Sequence, residues 1–367
     1  MRKFLFWIHL AAGCLAGLVI FIMSVTGVLL AYERQIVAWA DAPRRSLPAA
    51  GTQPLPPSAL LRDLSGRPAT ALTLRADLRA PAEVTVGRDK IIFVDRYTGA
   101  VVGEGSPRVR ALFRAVTGWH RWLAASDPNR ASARAITGAC NLTFFVLILT
   151  GSILWLPKQW SWMRVRQGIW FRRGLAGRAR DWSWHNTVGV WMAAPLGVIV
   201  FCAIFMSYPW ANSLLYRAAG SKPPERTGGP PGQPITATEG SDKLWIRAGQ
   251  QAPDWQSITL RGPAAFSIDR GTGGRPDLRS QLTLDPATGE VIRWESFSSF
   301  NKARRVRTWM RFLHTGEAGG SGGQAIAATA SAGAAFLVWT GISLALRRLV
   351  RRIRKSRQGA PAEAVLS

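Results

Sequence analysis

Four segments of this chain, residues 4–32, 135–156, 187–208 and 324–346, contain no Asp, Glu, Lys or Arg. Each is at least 22 residues long, and at about 1.5 Å of rise per residue a helix of that length covers the roughly 30 Å hydrocarbon core of a bilayer. Inside lipid every backbone N–H and C=O must find a partner within the protein, so such segments fold as helices. The expected fold class is an α-helical membrane protein built on a four-helix transmembrane bundle. The first segment follows Met1-Arg2-Lys3 and precedes Ala38-Trp39-Ala40, which has the outline of a signal peptide. Its apolar stretch is too long for a signal core, and it is read as a retained span.

The remaining residues divide around these spans. Residues 1–33 hold the first span, 34–106 an extramembrane domain, 107–133 an interfacial helix and 134–156 the second span. Residues 157–184 form a basic loop, 185–210 the third span, 211–300 a second domain, 301–323 a second interfacial helix, 324–346 the fourth span and 347–367 a basic tail. The basic loop carries Lys158, Arg164, Arg166, Arg172, Arg173, Arg178 and Arg180 against Asp181. The tail carries Arg347, Arg348, Arg351, Arg352, Arg354, Lys355 and Arg357. Short basic loops stay in the cytoplasm, so both termini are expected there and the two long connections in a bacterial periplasm. This orientation accounts for much of the net charge of +26. No nucleic-acid-binding signature accompanies that charge, and nucleic acid is not an expected partner. Many of the 17 tryptophans flank spans, as an aromatic belt does at a lipid interface.

The chain reads as one unit written twice. Each half runs histidine, span, extramembrane domain, histidine, span. The two domains share Asp-x-x-Thr-Gly-x-Val, as Asp95, Thr98, Gly99 and Val101 and again as Asp285, Thr288, Gly289 and Val291. This is a turn signal, with glycine supplying a positive φ between two strands. Residues 71–74, 82–87, 91–94, 257–260, 264–268 and 281–284 read as strands, and 57–64 and 242–250 as short helices ahead of them. Each connection is thus expected to be a small α+β domain, with a Pro/Gly-rich linker at 222–232 opening the second. Spans two and four also share Thr150-Gly151 and Thr340-Gly341.

The chain has four histidines, each at the mouth of one apolar segment. A neutral imidazole nitrogen is an axial ligand for haem iron, and two stacked haems need two histidines at each end of a bundle. Gly13 lies one helical turn beyond His9 on the same face, and Gly189 repeats that spacing after His185. Glycine there removes a side chain that would meet a flat macrocycle. His9 and His185 are the expected ligands of a cytoplasmic-side haem, and His120 and His314 of a second near the periplasmic face. Arg114, Arg121 and Arg311 are candidates for haem propionates or an anionic iron chelate. No Cys-x-x-Cys-His occurs, so both haems would be haem b. Cys14, Cys140 and Cys202 fall within spans and read as packing residues. Two histidines do not complete a tetrahedral zinc site. One histidine at a span boundary is an ordinary interfacial residue; four in matched positions point to ligation.

A small domain ending in Asp-x-x-Thr-Gly-x-Val, set between histidine-flagged spans and repeated, resembles the PepSY-associated transmembrane family from Phe6 to about Arg352. The resemblance implies PepSY-like domains in a bacterial inner-membrane protein tied to iron acquisition, and its characterised relatives are di-haem ferric-siderophore reductases. It implies electron transfer from a cytoplasmic or quinol donor to a ferric siderophore or other ferric chelate. No Gly-x-Gly-x-x-Gly follows a strand, so the donor would be a separate molecule. Two other readings stay open. In one, the domains bind a peptide or regulatory partner and the spans anchor them in lipid. In the other the protein transports iron or its chelate, although the uncharged span cores offer no acidic ion relay.

Overall fold

The computed structural model describes residues 1–41, 51–61, 68–87, 90–222, 234–235, 239–271 and 273–358. In chain order the helices are α1 (Arg2–Leu30), α2 (Glu33–Asp41), α3 (Pro57–Leu60), α4 (Pro107–Trp122), α5 (Arg130–Trp155), α6 (Trp162–Ile169), α7 (Gly177–Ser207), α8 (Pro209–Ala218), α9 (Glu239–Gln251), α10 (Lys302–His314) and α11 (Gly320–Gln358). The strands are β1 (Ala69–Arg75), β2 (Ala82–Val86), β3 (Lys90–Val94), β4 (Val101–Glu104), β5 (Ser257–Arg261), β6 (Ala265–Asp269), β7 (Arg279–Leu284) and β8 (Val291–Ser296). They divide between two compact units. One comprises Met1–Tyr32, Arg114–Ala211 and Leu313–Ser367, the other Glu33–Phe113 and Asn212–Phe312.

The first unit contains four helices long and apolar enough to cross a membrane, and only 22–28 % of the most apolar window of each is buried. Their outward faces carry Leu15, Leu18, Leu149, Phe201 and Trp339 exposed. An apolar surface of that extent needs lipid as its solvent. Each span packs on two neighbours, in the circular order α1, α5, α7, α11. That order sets α1 across the diagonal from α7. Small residues allow the close approach: a Cβ on Gly333 of α11 would lie 2.6 Å from Met192 of α7. Polar side chains inside the bundle meet backbone carbonyls of adjacent helices, Asn141 donating to Val200 O at 3.3 Å and Gln324 to Ala31 O at 2.6 Å.

Several helix ends depart from the hydropathy boundaries. The segment expected as loop at 157–184 contains α6, capped by the Ser161 hydroxyl, and the first two turns of α7. Helix α11 continues well beyond residue 346. These extensions are polar, and charge partners hold them. Asp181, 3 % exposed, accepts from Arg180 at 3.1 Å, Arg347 at 3.2 Å and Ser343 at 3.0 Å, tying α7 to α11. Hydropathy locates the lipid-facing part of a helix and says nothing of where its hydrogen bonding stops.

The second unit differs from the expectation of two separate small domains. Its strands form one antiparallel sheet of eight, in the order β4-β3-β2-β1-β5-β6-β7-β8. The halves meet where β1 pairs with β5, with Leu72 opposite Leu260, Thr73 opposite Thr259 and Leu74 opposite Ile258. The Thr73 and Thr259 hydroxyls are 2.8 Å apart. An edge strand with unpaired N–H and C=O groups is a template for another strand; here each half covers the other's edge. Leu72, Val84, Leu260, Phe266, Ile268 and Leu282 fill the core beneath, with Leu244 and Trp245 of α9. The Ser58 amide and hydroxyl of α3 donate to Asp242 of α9 at 2.8 and 2.6 Å. The expected strands lie within a residue or two of those found. The linker beyond Lys222 and residues 62–64 of the short helix lie outside the described residues.

The repeated Asp-x-x-Thr-Gly element closes the turns before β4 and β8. The Asp95 carboxylate accepts from the amides of Tyr97 and Thr98, and Asp285 from those of Ala287 and Thr288, at 2.8–3.0 Å. Thr98 and Thr288 accept from the amides two residues on, both at 3.2 Å, and Gly99 and Gly289 take φ of 73° and 74°. The Thr288 and then Ala287 amides hold the Asp285 carboxyl below the usual carboxylate range. Asp and Thr are spent on the turn's own backbone.

If the sheet folds as one body, Leu72→Ala, which empties a fully buried site, should cost about 2–5 kcal/mol and loosen both halves. Hydrogen exchange by mass spectrometry should then rise in β5–β7 as well as in β1–β3; a rise confined to β1–β4 would mean that the halves fold separately.

Candidate functional site

All four histidines belong to the bundle unit, and they meet in two pairs. The rings of His9 on α1 and His185 on α7 have centroids 6.4 Å apart with their planes at 90°. The rings of His120 on α4 and His314 on α10 have centroids 6.3 Å apart with their planes at 57°. Within α1, Thr26 beside His120 lies 17 residues beyond His9 (9 to 26), roughly 25 Å along a helix. The pairs therefore occupy two levels of the bundle.

Every one of these imidazoles is anchored through Nδ1. Thr150 Oγ1 of α5 lies 2.9 Å from His9 Nδ1, and Thr340 Oγ1 of α11 lies 2.9 Å from His185 Nδ1. Thr26 Oγ1 of α1 lies 3.0 Å from His120 Nδ1, and His314 Nδ1 donates to Ile199 O of α7 at 2.9 Å. With Nδ1 occupied, Nε2 is the nitrogen each ring has left. Burial, and after it the neighbouring His314 ring, brings the His120 pKa down to about 4, and burial lowers His314 as well. Both of those rings are neutral at ordinary pH. Each anchoring threonine is followed by a glycine. A Cβ would stand 3.2 Å from His9 Cε1 at Gly151, 3.4 Å from His185 Cε1 at Gly341 and 3.6 Å from His120 Cε1 at Gly27. The dipeptide provides both an acceptor and room for the ring.

A cavity of about 680 Å³ surrounds the first pair, within the range that takes a bound organic cofactor. Its wall is apolar, with Leu10, Leu147, Leu196 and Leu337 among the residues that line it. Gly13 and Gly189 line it too. Within 4 Å a Cβ on Gly13 would meet only Leu147, at 3.9 Å, and one on Gly189 only Leu337, at 3.8 Å. The polar groups in the wall include Arg178, Asn186 and Arg348. The sequence reading took Arg178 and Arg348 for orientation signals, as basic residues at a span end look, and did not single out Asn186. The three anchoring threonines were missed as well. Thr150-Gly151 and Thr340-Gly341 were visible as a matched pair, and Thr26-Gly27 in the first span was a weaker clue, because Thr-Gly also occurs at Thr137-Gly138 and elsewhere.

Arg114, Arg121 and Arg311, singled out from the sequence for the second pair, are not among the residues that line the cavity at the first pair. Arg114 and Arg121 are exposed residues of the bundle unit, with the Arg121 guanidinium 4.7 Å from the Trp122 ring centre. Arg311 belongs to the sheet unit, where its guanidinium lies 4.7 Å from the Phe312 ring centre. Gly316 has a role of its own, holding φ of 76° with Gly323 packed so close that a Cβ would collide. Among the described residues, no three or more His, Cys, Asp or Glu gather where they could hold a metal ion.

No curated protein matches the chain. The model of the PepSY-associated TM region matches residues 6–348. With nearly its whole length inside that match, the protein is a membrane protein of the PepSY-associated TM family.

Proposed function

We propose that this protein binds two haem b groups, one between His9 and His185 and one between His120 and His314, and carries electrons across a bacterial inner membrane to a ferric chelate such as a ferric siderophore. The observation that carries the reading is the spacing of the imidazole pairs. With about 2.0 Å for a metal–nitrogen bond and about 1.1 Å from that nitrogen to its ring centre, two imidazoles on opposite sides of one iron stand about 6.2 Å apart, centre to centre. The two pairs stand 6.4 and 6.3 Å apart. Both have Nδ1 hydrogen-bonded, the arrangement that orients a metal-ligating histidine. A bare ion would need further side-chain ligands, whereas a porphyrin brings four nitrogens of its own.

Haem b supplies reversible one-electron storage when bound. The chain's residues then do the rest. His9 with His185, and His120 with His314, would hold the two groups, and a ferric chelate would then be reduced without coordination to either of them. Gly13 and Gly189 keep a flat space open. Arg178 and Arg348, with Asn186, suit the carboxylates of the first group. The apolar wall keeps water out. A separate donor would supply one electron for each Fe(III) converted to Fe(II), a cytoplasmic carrier giving them singly and a quinol serving two Fe(III) as it becomes quinone and releases two protons; the oxygen ligands of a chelator hold Fe(II) less tightly. The basic tail and the basic connection between the second and third spans orient the first pair towards the cytoplasm. The sheet unit, inserted between the spans of each half, is then periplasmic and offers the chelate its surface. Its two matching halves read as PepSY-like repeats of one duplicated unit.

Protein purified after expression with ample haem should show a b-type reduced-minus-oxidised spectrum with two haems per chain. His9→Ala or His185→Ala should remove one chromophore and His120→Ala or His314→Ala the other; a chain with no b-type spectrum would end this reading. Gly13→Leu should lower occupancy at the first site only, read as haem per chain. The reduced protein, mixed with a ferric chelate and a ferrous-specific trap, should reoxidise as Fe(II) appears. Reduced protein that stays reduced while the trap stays empty would sink the reductase function.

A further inference from the structure

The threonine hydroxyls that anchor three of the imidazoles have already committed their protons. Thr150 donates to Val146 O at 2.8 Å, Thr340 to Phe336 O at 2.9 Å and Thr26 to Ile22 O at 2.7 Å, each one turn back in its own helix. A hydroxyl has one proton, so towards the imidazole these oxygens can only accept. The proton between each pair of atoms therefore belongs to Nδ1. At His314 the conclusion is the same by another route, because the Ile199 carbonyl has no proton to give. All four rings are held as the Nδ1–H tautomer, and all four Nε2 atoms carry a free lone pair.

Three corners use the same dipeptide, Thr26-Gly27, Thr150-Gly151 and Thr340-Gly341. The fourth does not. Cys202-Ala203 stands 17 residues beyond His185 (185 to 202), where Thr26-Gly27 stands 17 beyond His9 (9 to 26). There the backbone carbonyl of Ile199, one turn earlier, accepts with no hydroxyl beside it, whereas the carbonyls of Leu147, Met23 and Leu337 stand in the corresponding place at His9, His120 and His185 beside their threonines. Accepting the Nδ1 proton raises the basicity of the ligating nitrogen, and a carbonyl does so without donating to anything itself.

We infer that Thr26, Thr150 and Thr340 are positioning residues that select the ligating tautomer and set the electron donation of His120, His9 and His185. The His9/His185 pair has two hydroxyl anchors. The His120/His314 pair is unequal, because a side-chain change can remove the hydroxyl at His120 and there is no hydroxyl to remove at His314. This rests on the haem reading above, and the experiment separates the two. In the apo protein, ¹⁵N spectra of labelled histidine report the tautomer with no haem present. Four Nδ1–H signals are expected in the full chain, and an Nε2–H signal from any of the four would overturn the lock. In the haem-loaded protein, midpoint potentials are measured for each chromophore. Thr150→Val and Thr340→Val should each raise the potential of the chromophore lost in His9→Ala, and the double variant should raise it further. Thr26→Val should raise only the other. Each should weaken haem retention by about 10- to 100-fold, and the matching Thr→Ser variants should restore both readings. Cys202→Ala should change neither potential. Valine variants with wild-type potentials, or serine variants that behave like valine, would reduce the threonines to packing. Where a valine variant does not fold, the serine variant and the apo tautomer decide. Wild-type protein without a b-type spectrum would remove the haem reading and leave the tautomer result standing.

Discussion

An imidazole inside an apolar helix bundle has two nitrogens, and each must be accounted for. A buried polar group without a partner costs more than a hydrogen bond returns. This chain meets the demand at four positions in one way: Nδ1 is satisfied within the histidine's own half of the chain. His9 is held by Thr150, His120 by Thr26, His185 by Thr340 and His314 by the Ile199 carbonyl. The halves then meet at the two ring pairs. Much else in the bundle follows from that constraint, including the glycine after each anchoring threonine and the diagonal placement of α1 and α7.

The two units solve the joining of the halves by different physics. In the bundle, close contact comes from small residues such as Gly333 and from side chains that reach carbonyls on neighbouring helices. Lipid provides no hydrophobic drive between apolar helices, so packing and hydrogen bonds must do the work. In the sheet unit, water supplies that drive and strand pairing gives it direction. Leu72, Leu260 and their neighbours bury one face, while β1 and β5 share a ladder that leaves neither as an edge. The most recognisable motif of the domains, Asp-x-x-Thr-Gly, serves this architecture. Its carboxylate and hydroxyl close the turn, and no ligand is needed to account for them.

The chemistry of the bundle concentrates on few side chains. The cavity at the first pair is largely apolar, with Arg178, Asn186, Arg348, Ser152 and the imidazoles among the polar groups that line it. Asp181 is buried close by, but its oxygens are taken up by Arg180, Ser343 and Arg347, and it ties helices together. What remains in the interior is a pair of imidazoles at each level, with ring centres 6.4 and 6.3 Å apart.

Much of this was legible in the sequence because membrane and turn constraints are local. Uncharged runs of sufficient length must become helices in lipid, and alternating apolar residues bounded by Asp-x-x-Thr-Gly must become hairpins. The matched placement of His9, His120, His185 and His314 also stood in the sequence, and with it the candidate pairs. Only the tertiary structure decided what each imidazole leans on, since Thr26 and His120 are joined by helix packing and not by any spacing along the chain. The same holds for the single sheet, because an edge strand's partner is chosen by whichever strand covers it. It holds too for Arg178 and Arg348, whose charge reads as orientation until the fold turns them towards a cavity. Local sequence sets which hydrogen-bonding groups a segment has to satisfy; the packed chain sets who satisfies them.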